Sequence, residues 1–194
     1  WHELGIAFHD NPIVQIKVDS ENPWYKDVDG QAVYTKDGKI LVFGTPLSSI
    51  ADGTEEIYFE ALHGSDTETL DIPASVKSLM DYSIGYTKNV KNIIIRNKDL
   101  PFNSSNEGPQ IYFIDADETD PIGDVTIWGY AGSTAETFAD DFGYTFKTLQ
   151  DIESVENPSS IEVDYGTDRT QLNLPEKVIV TLSNNDTEEI DVIW

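Results

Sequence analysis

Cysteine is absent from the chain, so disulfides, a thiolate nucleophile and cysteine-ligated metals are excluded, although this does not fix the compartment. Positive charge is scarce: 12 Lys and Arg stand against 36 Asp and Glu in 194 residues, a formal net charge of −24. Such a surface does not neutralise phosphates, which argues against a nucleic-acid partner, and anionic lipid repels it. Apolar runs last a few residues, far short of the roughly 20 that a spanning helix needs, so no membrane insertion is expected. Met80 is the single methionine, and the first residues lack the basic-then-apolar pattern of a signal peptide. The expectation is therefore a module of a longer chain, monomeric by itself. The motifs G-x-S-x-G, H-E-x-x-H, G-x-x-x-x-G-K-[ST] and G-x-G-x-x-G are missing. No enzyme activity, cofactor or metal is expected.

The residues present point to a packed core. Hydrophobic residues make up 39% of the chain, with 4 Trp, 9 Tyr and 8 Phe, too many for a disordered acidic tail. Four hexads share the pattern x-x-x-apolar-x-apolar: Ile13–Val18, Thr67–Ile72, Val90–Ile95 and Ile122–Ile127. Their starts lie 54, 23 and 32 residues apart, and a 23-residue step falls within the leucine-rich-repeat range of roughly 20–29. Period-2 alternation predicts short strands with one buried face. Stacked in register, they would place Ile16, Leu70, Ile93 and Val125 in one row. The alternate residues Gln15, Lys17, Thr69, Asp71, Asn92, Ile94, Asp124 and Thr126 then point outward and form the expected binding surface.

Between the first two hexads, Asp29-Gly30 and Asp37-Gly38 sit among apolar runs, a hairpin signal that predicts paired strands over roughly 32–43. Ile57-Tyr58-Phe59 adds a candidate strand. Ser133, with Glu136 three residues on, reads as a capped helix start, and Gly143 as its stop. Ala135, Phe138, Ala139 and Phe142 supply the apolar face. Tyr144, Phe146 and Leu149 return to strand spacing. Residues 151–160 are polar and turn-prone, which predicts a linker. Three alternating runs follow: Ile161, Val163 and Tyr165; Val178, Val180 and Leu182; Ile190, Val192 and Trp194. Asn184-Asn185-Asp186 marks a turn between the last two.

Particular segments carry a resemblance. The stretch Val18-Asp19-Ser20-Glu21-Asn22-Pro23-Trp24-Tyr25-Lys26-Asp27-Val28-Asp29-Gly30, then Lys36-Asp37-Gly38-Lys39, is similar to a BspA-like bacterial leucine-rich repeat. Leu70-Asp71-Ile72-Pro73-Ala74-Ser75-Val76-Lys77-Ser78-Leu79 resembles the repeat "L-x-I-P-x-S-V-x-S-I" of that family, and Thr126–Ala139 its closing unit "I-x-G-Y-x-G-S-x-A-E-x-Y-A". The likeness covers about 11–149. Leu174-Pro175-Glu176-Lys177-Val178-Ile179-Val180-Thr181 and Ile190-Asp191-Val192-Ile193-Trp194 resemble the opening of a bacterial Ig-like domain. An Ig-like sandwich needs about 100 residues, so 161–194 would be a partial one.

The resulting expectation is an α+β chain. A short leucine-rich-repeat solenoid of parallel strands, with an inserted β-hairpin and a terminal capping helix, occupies 1–150, a linker 151–160, and a small β-rich, Ig-like segment 161–194. The resemblance implies an extracellular, cell-surface bacterial protein whose module recognises a host protein or glycan without catalysis. The alternative is a structural spacer or accessory module of a larger secreted enzyme or anchored surface protein. A hydrolase acting through carboxylates would require a deep pocket with two converging acids.

Residues that could carry other chemistry favour plainer readings. Within His63-Gly64-Ser65-Asp66, adjacency in sequence is no sign of a triad, which is assembled in space. His2, His9 and His63 lack zinc-ligand company. Asp115-Ala116-Asp117-Glu118-Thr119-Asp120 is an acidic loop without the glycine and terminal glutamate of an EF-hand. Asn103 and Asn185 fit the N-glycosylation pattern but read as loop residues. Trp24, Tyr25, Trp128 and Tyr130 read as packing residues rather than a ligand platform.

Overall fold

Strands two to five residues long wind into a coil in the computed structural model, which describes residues 13–85, 87, 89–102, 110–112, 125–172 and 174–193. The chain divides into two units, 1–148 and 149–194. In the first, β1 (Tyr25–Val28), β2 (Ala32–Thr35) and β3 (Ile40–Gly44) form an antiparallel meander. Both Asp-Gly signals lie at its turns. Asp29 and Gly30 take φ of 52° and 67°, the left-handed pair that a tight hairpin turn requires.

From β3 onward the pairing is parallel. β4 (Glu56–Ile57), β5 (Leu62–His63) and β6 (Thr69–Ile72) complete one circuit, and β7 (Ser78–Leu79), β8 (Ile84–Gly85) and β9 (Asn92–Ile95) the next. β10 (Ile111–Tyr112) and β11 (Thr126–Gly129) lie on the third. Three sheets result, with orders β1-β2-β3-β4-β7, β5-β8-β10 and β6-β9-β11-β12, where β12 is Thr145–Thr148. The unit is thus mostly β, a β-solenoid of about three turns. A turn is built from up to three short strands, so the expected solenoid of parallel strands is present, with its α content among the described residues limited to one helix. Partners on successive turns are 22 residues apart at Glu56 and Ser78 and 23 at Thr69 and Asn92.

Matched corners keep the turns in step. The Ala61 N–H donates to the Tyr58 carbonyl and the Ser83 N–H to that of Met80. Inside these corners Glu60 and Tyr82, 22 residues apart, take φ of 54° and 55°. A second column of corners closes at Val76 on Pro73, Leu100 on Asn97 and Ser133 on Tyr130. Side chains turned inward form one core, in which Leu41, Ile57, Ile72, Ile84, Ile93, Ile95 and Ile127 are fully buried.

After the third of those corners the chain forms α1 (Thr134–Phe142), the one α-helix among the described residues. Ser133 Oγ accepts the Glu136 N–H at 3.3 Å. The Glu136 carboxylate reaches back to the Gly132 N–H at 2.6 Å, one residue before the expected cap. Gly143, at φ 74°, ends the helix in the left-handed region. Ala135, Phe138 and Ala139 are buried, whereas Phe142, expected among them, is exposed and packs its ring on Phe138 at 4.9 Å.

The first hexad departs from the expected stack. Residues 13–18 form no strand of the coil; the Ile16 N–H donates to the Gly30 carbonyl at 2.7 Å and the Val18 N–H to Asp27 Oδ1 at 2.8 Å. Both bonds tie the hexad to the β1–β2 hairpin, and it joins none of the described sheets.

The second unit is a three-stranded antiparallel sheet of β13 (Ile152–Val155), β14 (Lys177–Leu182) and β15 (Thr187–Asp191). The stretch expected as a linker, 151–160, therefore holds strand β13, because Ile152 and Val155 pair with Leu182 and Val180. Val178, Val180 and Leu182 are buried as their alternation predicts, and Asn185, at φ 67°, turns the β14–β15 hairpin. Ile161, Val163 and Tyr165 lie in irregular, exposed chain and not in the expected strand.

Candidate functional site

The four-stranded sheet β6-β9-β11-β12 turns one set of side chains into the core and the other outward. The inward row is Leu70, Ile93, Ile127 and Phe146. This corrects the expected row of Ile16, Leu70, Ile93 and Val125. Ile16 lies at the hairpin, and β11 sits two residues further along, so Ile127 and not Val125 opposes Ile93. A slip of two preserves which face each residue takes, and Val125 is still buried at the entry to the strand.

Two outward rows follow from this register. Thr69, Asn92, Thr126 and Thr145 make one; Asp71, Ile94, Trp128 and Lys147 make the other. Strand spacing sets successive side chains of a row about 4.8 Å apart. Of the eight residues expected on this surface, Thr69, Asp71, Asn92, Ile94 and Thr126 are brought together here. Gln15 and Lys17 are exposed on the segment tied to the hairpin and do not join them. Asp124 lies outside the described residues, as do Asp115–Asp120, His2, His9 and Asn103.

The outward side chains hold one another. Arg96, just past β9, donates two hydrogen bonds to Asp71, from Nε at 2.8 Å and from Nη2 at 2.7 Å. A fork meeting both carboxylate oxygens fixes direction as well as distance. The Trp128 Nε1–H donates to Asn92 Oδ1 at 2.9 Å, which sets the orientation of the half-buried indole on the sheet. Lys147 places its Nζ 4.9 Å from the centre of that ring, within cation–π range.

Reasoning from the hexads alone misses Trp128, Arg96, Thr145 and Lys147. The available signal was Thr145-Phe146-Lys147-Thr148 itself, which resumes period-2 alternation immediately after the helix. Trp128 does part of its expected packing duty, through Asn92, while also paving the outward face. Trp24, read as a packing residue, is 71% exposed.

Several other polar side chains have defined partners. Ser65 is buried with its hydroxyl 3.3 Å from Thr67 Oγ1, and Asp66 accepts a hydrogen bond from Asn89. On a different sheet, Glu55 bridges Lys39 at 2.6 Å and Lys77 at 3.0 Å. Hydrogen bonds from those two ammonium groups hold its carboxyl below the usual range, and the bond to Glu55 pushes Lys39 above its own. No group of three or more His, Cys, Asp or Glu among the described residues is placed to hold a metal ion. No helix among them is long and apolar enough to cross a membrane.

Comparison with known protein families, curated proteins and solved structures gives no match to this chain.

Proposed function

We propose that the chain is a non-catalytic recognition module of a bacterial cell-surface or secreted protein, binding a host protein or glycan through the outward face of β6-β9-β11-β12. The observation that carries this reading is the pre-set indole: Trp128 anchored by Asn92 and overlain by Lys147 in the middle of an open sheet. Orienting a large side chain in advance reduces the entropy lost on binding. Solenoids commonly bind through such extended faces. The motif likeness to BspA-like leucine-rich repeats, and that of 174–194 to a bacterial Ig-like domain, supports the extracellular setting and rests on the quoted residues alone.

The test is adhesion of the immobilised chain to arrays of plasma proteins, matrix proteins and glycans. Trp128→Ala is expected to weaken the captured signal by about tenfold or more, the scale of losing a central aromatic contact. Lys17→Glu, off the face, is expected to leave it unchanged. Equal capture by Trp128→Ala and the parent chain, with matching thermal unfolding, would discard the face as the site. The spacer reading gains if the parent chain captures nothing.

A further inference from the structure

The recognition face differs in charge from the chain that bears it. Against a net charge of −24, its described outward strand positions carry one acid, Asp71, and one base, Lys147. Arg96 occupies Asp71 through both carboxylate oxygens, so that acid repels little. Lys147 is exposed and rests on an indole. We infer that the ligand of this face is an acidic saccharide, one that stacks a sugar ring on Trp128 and pairs its carboxylate with Lys147. The inference rests on the recognition reading above and narrows it to one chemistry.

Two features of the face suit a saccharide, and two considerations set aside a peptide and a nucleic acid. The ring is flat, lies on the central strand β11 and is fixed in orientation by Asn92, which suits the C–H face of a pyranose. The neighbouring row of Thr69, Asn92, Thr126 and Thr145 offers hydroxyl and amide groups strand after strand, matching a polymer that repeats its own hydroxyls. A peptide draws its affinity from anchors entering pockets or from strand addition at a sheet edge, and Asn92 and Trp128 lie on the two inner strands of this sheet. Nucleic acid would bring a denser line of charge toward a strongly acidic molecule. Binding requires Lys147 to leave the indole face, and an exposed cation–π contact is weak enough to be exchanged for a carboxylate.

The experiment is titration calorimetry of the full 194-residue chain at low salt. Its probes are tetragalacturonate, its fully methyl-esterified neutral form, a hyaluronate hexamer, sialyllactose and a single-stranded oligonucleotide. At least one acidic saccharide is expected to bind. For tetragalacturonate, the neutral ester is expected to bind about tenfold or more weakly. Lys147→Gln should weaken binding to a similar degree and Lys147→Arg should retain it. Trp128→Ala should abolish binding and Trp128→Phe preserve part of it. Equal binding of acid and ester, tighter binding of the oligonucleotide, or no binding of any acidic saccharide at millimolar concentration overturns the inference. None of these outcomes touches the recognition reading, which falls separately if Trp128→Ala leaves array capture intact.

Discussion

Tyr34 illustrates how a single polar atom is accommodated in this core. The side chain is fully buried, and its Oη accepts the Ala51 N–H at 2.9 Å. Removing the oxygen leaves a backbone donor without a partner inside the protein. Tyr34→Phe is therefore expected to destabilise the solenoid by about 1–3 kcal/mol, read as a lowered urea midpoint with unchanged slope. At this scale the sequence was legible where chemistry is local. Ser133 and Gly143 bound the helix as expected, because a cap is decided within four residues. It was not legible where the partner is remote. Nothing near Trp128 announces that Asn92, 36 residues earlier, accepts its indole N–H, or that Arg96 reaches back 25 residues to Asp71.

Elements in this molecule are short, and their placement depends on register more than on propensity. Gly129 ends β11 beneath the capping helix, where a Cβ would stand 2.8 Å from the Ala135 Cβ and 3.2 Å from Ser133 Oγ. Gly129→Ala is expected to push α1 from the coil and cost about 1–3 kcal/mol. Thermal unfolding followed by circular dichroism checks this, and an unchanged midpoint would show that the helix has room to move. The hexads at 67, 90 and 122 were visible as strands because alternation encodes which face is buried. Alternation is blind to a slip of two residues, so the offset that pairs Ile127 with Ile93 could not be read. β4, β5, β7 and β8 have two residues each and carry no period at all. At Ile161, Val163 and Tyr165 the pattern was present but no strand among the described residues pairs with it, and exposed irregular chain is the outcome.

For the whole molecule, the excess of 24 negative charges sets the response to acid. Lowering the pH relieves general repulsion among carboxylates but also removes the specific pairing of Glu55 with Lys39 and Lys77. Because that carboxyl is held below its ordinary value of 4.5, its contribution is present above 4.5 and fades as the pH falls through the lower folded-state value. Comparing the parent chain with Glu55→Gln separates the two effects. The parent is expected to melt higher at pH 7, with the gap closing below about pH 4.5. The pair is exposed, so the gap will be small. A gap that widens in acid would refute the assignment.

The 22- and 23-residue steps between strand partners have a consequence for how such a protein can vary. Each circuit contacts chiefly the circuits before and after it. A duplicated circuit could therefore be spliced in without disturbing the others. Every insertion would lengthen the outward sheet by one strand spacing, about 4.8 Å, and add one more side chain to each outward row. The extent of that sheet thus becomes a matter of counting turns, adjustable by gene duplication, while the chemistry of its surface is tuned independently by changing single outward residues.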